Sequence, residues 1–133
     1  MYKETITYTN FNGEDVTEDF YFHMTDAELL KLECSEKGGL TSIIENISKE
    51  TNPMILFDIF ERVIRLSYGK RSLDGSSFSK KPEYADEFLA SEAYSQMFMN
   101  FMQDPSSYAD FFNGLTSSIR KKEDQKIIEI DNR

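Results

Sequence analysis

The chain has 133 residues, 39% of them hydrophobic and 14% aromatic, which is enough for one ordinary domain with a packed core and excludes disorder throughout. Twenty-four acidic side chains against fifteen basic ones leave a formal net charge of −9, which argues against a general nucleic-acid binder. One cysteine (Cys34) and one histidine (His23) exclude internal disulfides, paired-cysteine redox sites and multi-histidine metal sites. No apolar run approaches the ~18 residues of a membrane span, and no signal peptide is read at the start, so a cytosolic setting is expected.

In chain order, residues 3–9 alternate, with Ile6 and Tyr8 on one face and Thr5 and Thr7 on the other. Residues 16–23 are β-branched and aromatic, and Phe20 and Phe22 share a face. Asn12-Gly13 between them predicts a β-hairpin over 3–23, which needs something packed on its apolar side. Thr25 and Glu28 then form a capping box, opening a helix with Leu29, Leu30 and Leu32 that stops at Gly38-Gly39. A second helix is expected from Thr41 or Ser42, carrying Ile43, Ile44 and Ile47. Asn52-Pro53 starts the strongest helix, whose stripe of Ile55, Leu56, Ile59, Phe60, Val63, Ile64 and Tyr68 runs to Gly69. Residues 70–81 read as an exposed loop with an Asp74-Gly75 turn and Phe78 pinning it down. Pro82 begins a short helix, and Ser91-Glu92 leads into another with Tyr94, Met97, Phe98, Phe101 and Met102. Asp104-Pro105 starts a last helix with Tyr108, Phe111 and Phe112, expected to end at Asn113-Gly114. The predicted fold is α+β: one domain over 1–119, an N-terminal hairpin followed by a compact bundle of about five α-helices within 25–118. Residues 120–133 read as a charged tail around Ile127, Ile128 and Ile130.

Chemistry is sparse. A catalytic His23 would need a nucleophile and an orienting carboxylate, and Asp26 and Glu28 are better explained as acids complementing a helix N-terminus. Cys34 lies among Glu33 and Glu36, whose charges raise a thiol pKa and blunt its reactivity. The acid pairs Glu14-Asp15 and Glu18-Asp19 lack calcium-loop spacing, and Gly69-Lys70-Arg71-Ser72 lacks the glycine spacing of a phosphate loop. No catalytic residue, metal site or cofactor is therefore assigned. Eleven acids against four bases in residues 1–50 read first as a solvated surface and second as a face for a basic partner. Apolar residues at 97, 98, 99, 101 and 102 occupy more than one helix face. They read as core or, with methionine's adaptability, as a groove for a helical partner or a self-association face.

Several segments in order carry a resemblance: Thr5-Ile6-Thr7-Tyr8-Thr9-Asn10-Phe11-Asn12-Gly13, Phe20-Tyr21-Phe22, Ala27-Glu28-Leu29, Gly38-Gly39-Leu40, Ser67-Tyr68-Gly69-Lys70, Glu92-Ala93-Tyr94-Ser95, Phe98-Met99 and Phe111 with Asn113-Gly114. Over residues 3–115 the chain resembles small acidic proteins encoded in the structural gene region of tailed phages of Gram-positive hosts, themselves similar to phage tail assembly chaperones. The resemblance implies a non-enzymatic factor that binds the tape measure protein in the host cell cytoplasm, or alternatively a structural accessory protein of the virion head or tail. It implies no catalytic residues, no cofactor, no nucleic acid and no membrane, and leaves a homo-oligomer open. Tyr94, Met97, Phe98, Phe101 and Met102 are the expected partner-binding residues. The chain runs past the expected family stop near Asn113-Gly114, as a host-specific tail or the product of frameshifting at Lys121-Lys122 would.

Overall fold

The first two runs of alternating side chains pair as predicted. In a computed structural model that describes residues 1–35, 37–39, 42, 45, 46, 49 and 52–117, β1 (Tyr2–Thr9) and β2 (Asp15–Phe22) form an antiparallel hairpin, with Tyr2 opposite Phe22 and Thr9 opposite Asp15. The expected helix carrying Ile43, Ile44 and Ile47 and the expected tail over 120–133 lie outside the described residues, although Ser42, Glu45, Asn46 and Lys49 are helical. The hairpin has one wet and one dry face. Thr5 donates to Asp19 and Thr9 to Asp15, while the Thr7 and Thr17 hydroxyls lie 2.9 Å apart. Ile6 and Phe22 are buried on the other side, with Tyr2, Tyr8 and Phe20 partly buried beside them.

The capping box forms as read: Glu28 accepts from the Thr25 amide at 2.9 Å, and the Glu28 amide donates to the Thr25 hydroxyl at 3.2 Å. It opens α1 (Asp26–Ser35), where Leu29 is buried, Leu32 partly buried and Leu30 exposed. Asn52 caps α2 (Pro53–Ser67), its side chain accepting from the Met54 amide at 3.0 Å. Leu56, Phe60, Val63 and Ile64 are the buried apolar residues of α2; Ile59 is partly buried and Ile55 exposed.

The expected loop over 70–81 is instead a second hairpin. The chain leaves α2 at Ser67 and continues as β3 (Tyr68–Arg71), which pairs with β2 through Tyr21 opposite Gly69 and Phe22 opposite Tyr68. It turns back as β4 (Phe78–Ser79), completing a four-stranded sheet in the order β1-β2-β3-β4. Tyr68 is thus buried from a strand, not from the helix stripe. The turn is held by Asp74, which accepts from the Ser72 hydroxyl, the Ser76 amide and the Ser76 hydroxyl; these bonds hold its carboxyl down at about 2. Residues 72–77 between the two short strands read as loop, because the pairing that holds those strands is tertiary.

Pro82 begins α3 (Pro82–Leu89), and Ser91 caps α4 (Glu92–Gln103) by accepting from the Tyr94 amide at 3.2 Å. Residues 105–117 form α5, which runs through Gly114 and so passes the expected stop at Asn113-Gly114. A Cβ at Gly114 would lie 2.8 Å from the Tyr2 ring, so the glycine serves close approach to β1 instead of ending the helix. The fold is therefore α+β, with the sheet's dry face on the helices and a core in which aromatic rings and aliphatic side chains share the interior. Phe22 meets Tyr68, Phe88 and Phe111 at 5.3–5.8 Å between ring centres, and Phe60 meets five rings at 5.0–6.1 Å.

Lys80, just after β4, ties these layers. Its ammonium donates to the His23 carbonyl at 3.1 Å, to the Leu66 carbonyl at 3.0 Å in the last turn of α2, and to the Glu28 carboxylate. Burial pushes the Glu28 carboxyl up, but the Lys80 and Thr25 bonds outweigh it and leave it below its ordinary value of 4.5. Burial, with the N-terminal amine and Lys80 adding to it, lowers His23 from 6.5. Both shifts act in one direction. An imidazole harder to charge when folded takes stability away as pH falls below 6.5, and a carboxyl easier to ionise when folded takes more away below 4.5. Urea midpoints should fall on acidification from neutrality in these two windows. His23→Gln should flatten the upper one and Lys80→Met the lower, with Lys80→Met also costing about 1–2 kcal/mol at neutral pH.

Candidate partner-binding surface

The five residues singled out from the sequence lie on α4, which packs against β1, α3 and Phe60 of α2. The structure divides them. Tyr94, Met97 and Phe101 are buried in the core, whereas Phe98 and Met102 are only partly buried at its edge. At about 100° per residue, the core face of α4 centres on Met97, and the apolar arc continues sideways through Phe98 and Met102 to Met99. Met99 is 50% exposed.

Across the seam stands α2. Phe57, 38% exposed, meets the Phe98 ring edge-on at 5.3 Å and the Tyr94 ring at 6.2 Å. One turn earlier, Met54 is 68% exposed. Ile55 and Ile59 line an open depression with Asn46 and Lys49. An aromatic pair therefore sits half out of the core between two helices, with flexible methionines at both ends. Glu61 on α2 stands near Tyr94 and is itself paired with Arg65 at 3.3 Å. Burial and then Glu61 raise the Tyr94 hydroxyl to about 12, so it stays neutral.

Met54 and Phe57 were not singled out in the sequence, and Met99 was read only as part of the apolar run on α4. The available signal was that α2 is apolar beyond the arc its core contacts need, at an i, i+3 step just off the buried stripe. The other candidates stand apart. His23 lies at the end of β2 with its ring edge-on to Phe78 at 6.2 Å, and Cys34 is an exposed free thiol on α1. Among the described residues, no three of His, Cys, Asp and Glu gather where they could hold a metal ion. No helix of the described residues is long and apolar enough to cross a membrane.

An exposed apolar seam is the chemistry of a surface that meets another protein. A family model described as phage tail assembly chaperone matches residues 1–128, and the chain belongs to that family. It is thus a bacteriophage protein of tail assembly, a process in which it meets other virion proteins. Searches among curated proteins and among solved structures find no match to this chain.

Proposed function

We propose that this protein is a non-enzymatic chaperone that holds the phage tape measure protein during tail morphogenesis, in the host cytoplasm, by covering an apolar helical stripe with the seam between α2 and α4. The observation that carries this reading is the half-exposed pair Phe57–Phe98, flanked along the two helices by Met54, Met99 and Met102. Methionine adapts to irregular partners, and an aromatic pair supplies a fixed anchor. Tyr94, Met97 and Phe101 act from beneath, holding Phe98 and Met102 in place. The net charge of −9 keeps free copies apart while the seam is uncovered.

Phe57→Asp and Phe98→Asp are expected to weaken co-purification with the tape measure protein roughly thirtyfold, the effect of losing an interface anchor of about 2 kcal/mol. Phe57→Asp should leave the far-ultraviolet dichroism unchanged, because that ring lies at the edge of the core, 38% exposed. Binding that survives both substitutions, or is lost only together with the fold, would refute the assignment of the seam. Mass spectrometry of purified virions should find the protein absent or strongly depleted. A fixed stoichiometry there would make it a structural accessory protein of the head or tail instead.

A further inference from the structure

We propose that the free edge of β1 accepts an extended, net-positive segment of a partner protein as an added strand, separately from the α2/α4 seam. The strand order leaves β1 outermost, and among the described residues no strand pairs with its other side. The bond from the His23 amide to the Ser67 carbonyl fixes which groups face outward. In a strand, the N–H and C=O of one residue point the same way, so the odd residues of β2 face β3 and the even ones face β1. Through the register, Tyr2, Glu4, Ile6 and Tyr8 bond to β2, and Lys3, Thr5, Thr7 and Thr9 turn their N–H and C=O outward.

Proteins ordinarily blunt such an edge with proline, a bulge, inward charges or a very short strand. This one is eight residues long, keeps unbroken register with β2, contains no proline, and has a single inward charge, Glu4, which accepts from the Tyr2 hydroxyl. Lys3 at one end is the only basic residue on it. The backbone supplies affinity, and charge selects the occupant. Hairpin residues 1–23 hold one lysine against the five carboxylates of Glu4, Glu14, Asp15, Glu18 and Asp19. Asp15 and Asp19 lie one strand in, on the same solvent face as Thr9 and Thr5. A cation on an added strand would sit about 10 Å from them, within about one Debye length. A second copy would bring another −9 to the same place, which disfavours self-pairing.

Amide hydrogen exchange of the full-length chain, read residue by residue by NMR, tests this. The probe is a lysine/valine/threonine peptide of the length of β1, with its glutamate counterpart as control. Alone and dilute, Thr5 and Thr7 should exchange roughly tenfold or more faster than Ile6, and the cationic peptide should slow them about tenfold in a salt-sensitive way. The glutamate peptide should not. Thr7→Pro removes an outward N–H without breaking the ladder to β2 and should abolish the protection at Thr5. Thr5→Lys with Thr7→Lys should weaken it, and serves if the proline variant does not fold. Three results would overturn the proposal: Thr5 and Thr7 already protected at every dilution, which makes the chain's own residues the occupant; protection that grows with protein concentration, which makes it a second copy; or equal protection, or none, from the two peptides.

Discussion

Phe60→Ala is expected to destabilise the domain by about 4 kcal/mol, near the upper end for a phenylalanine-to-alanine change in a core. Phe60 is fully buried, and its ring meets Tyr94, Phe98, Phe101, Tyr108 and Phe111. These five come from two helices, so no single backbone shift can close the cavity. Phe60 also lies beneath the Phe57–Phe98 pair, so its loss should loosen the seam as well as the fold. With a total stability on the order of 5–15 kcal/mol, about a quarter or more of it would disappear. Urea denaturation followed by far-ultraviolet dichroism measures this; a loss below about 1 kcal/mol would mean that the neighbouring rings repack and that Phe60 is not the centre of the core.

Gly69→Ala should cost about 3 kcal/mol, for a different reason. A Cβ on Gly69 would lie 2.4 Å from the Ser79 carbonyl oxygen and 2.8 Å from the Phe78 ring. The first contact is backbone, so the new methyl would force β3 and β4 apart instead of turning a side chain aside. Separation of these strands carries Lys80 away from Glu28 and from the carbonyls of His23 and Leu66. The damage should therefore appear as faster exchange of the His23 amide together with loss of thermal stability. A variant of unchanged melting temperature would show that the second hairpin contributes little to holding the layers together.

Most of the fold is legible in the sequence because its signals are local. Thr25 with Glu28, Asn52 with Pro53, and Ser91 before Glu92 each close hydrogen bonds within a few residues, so composition at fixed offsets suffices to place the helices. The alternation around Ile6 and Phe22 does the same for the first hairpin. The second hairpin was illegible because its stability comes from elsewhere: Gly69 and Tyr68 pair with β2, and residues 72–77 between its strands are three serines, Leu73, Asp74 and Gly75, which read as loop. Gly114 misled for a related reason. Its significance lies in the approach of Tyr2, more than a hundred positions away, and not in the helix around it. For the proposed site, the sequence marked α4 as apolar on more than one face but not which side of it is exposed. Periodicity identifies an apolar arc wider than one face; which edge of that arc meets water depends on where α2 packs, and that brought Phe57 and Met54 to the seam and drew Tyr94, Met97 and Phe101 inside.

The contact of Tyr2 and Phe22 with Phe111, and of Tyr2 with Gly114, has a consequence for biosynthesis. The hairpin leaves the ribosome some eighty residues before the helix that completes the floor it rests on. Until α5 has emerged, the dry side of the sheet has only Phe88 of α3 and the face of α4 beneath it and lacks Phe111, and a lone hairpin is marginal in water. Closure is then a single event late in translation, not a stepwise accretion from the amino end. A nascent chain arrested before residue 105 should leave Ile6 and Phe22 open to proteolysis, and one extended past residue 117 should not.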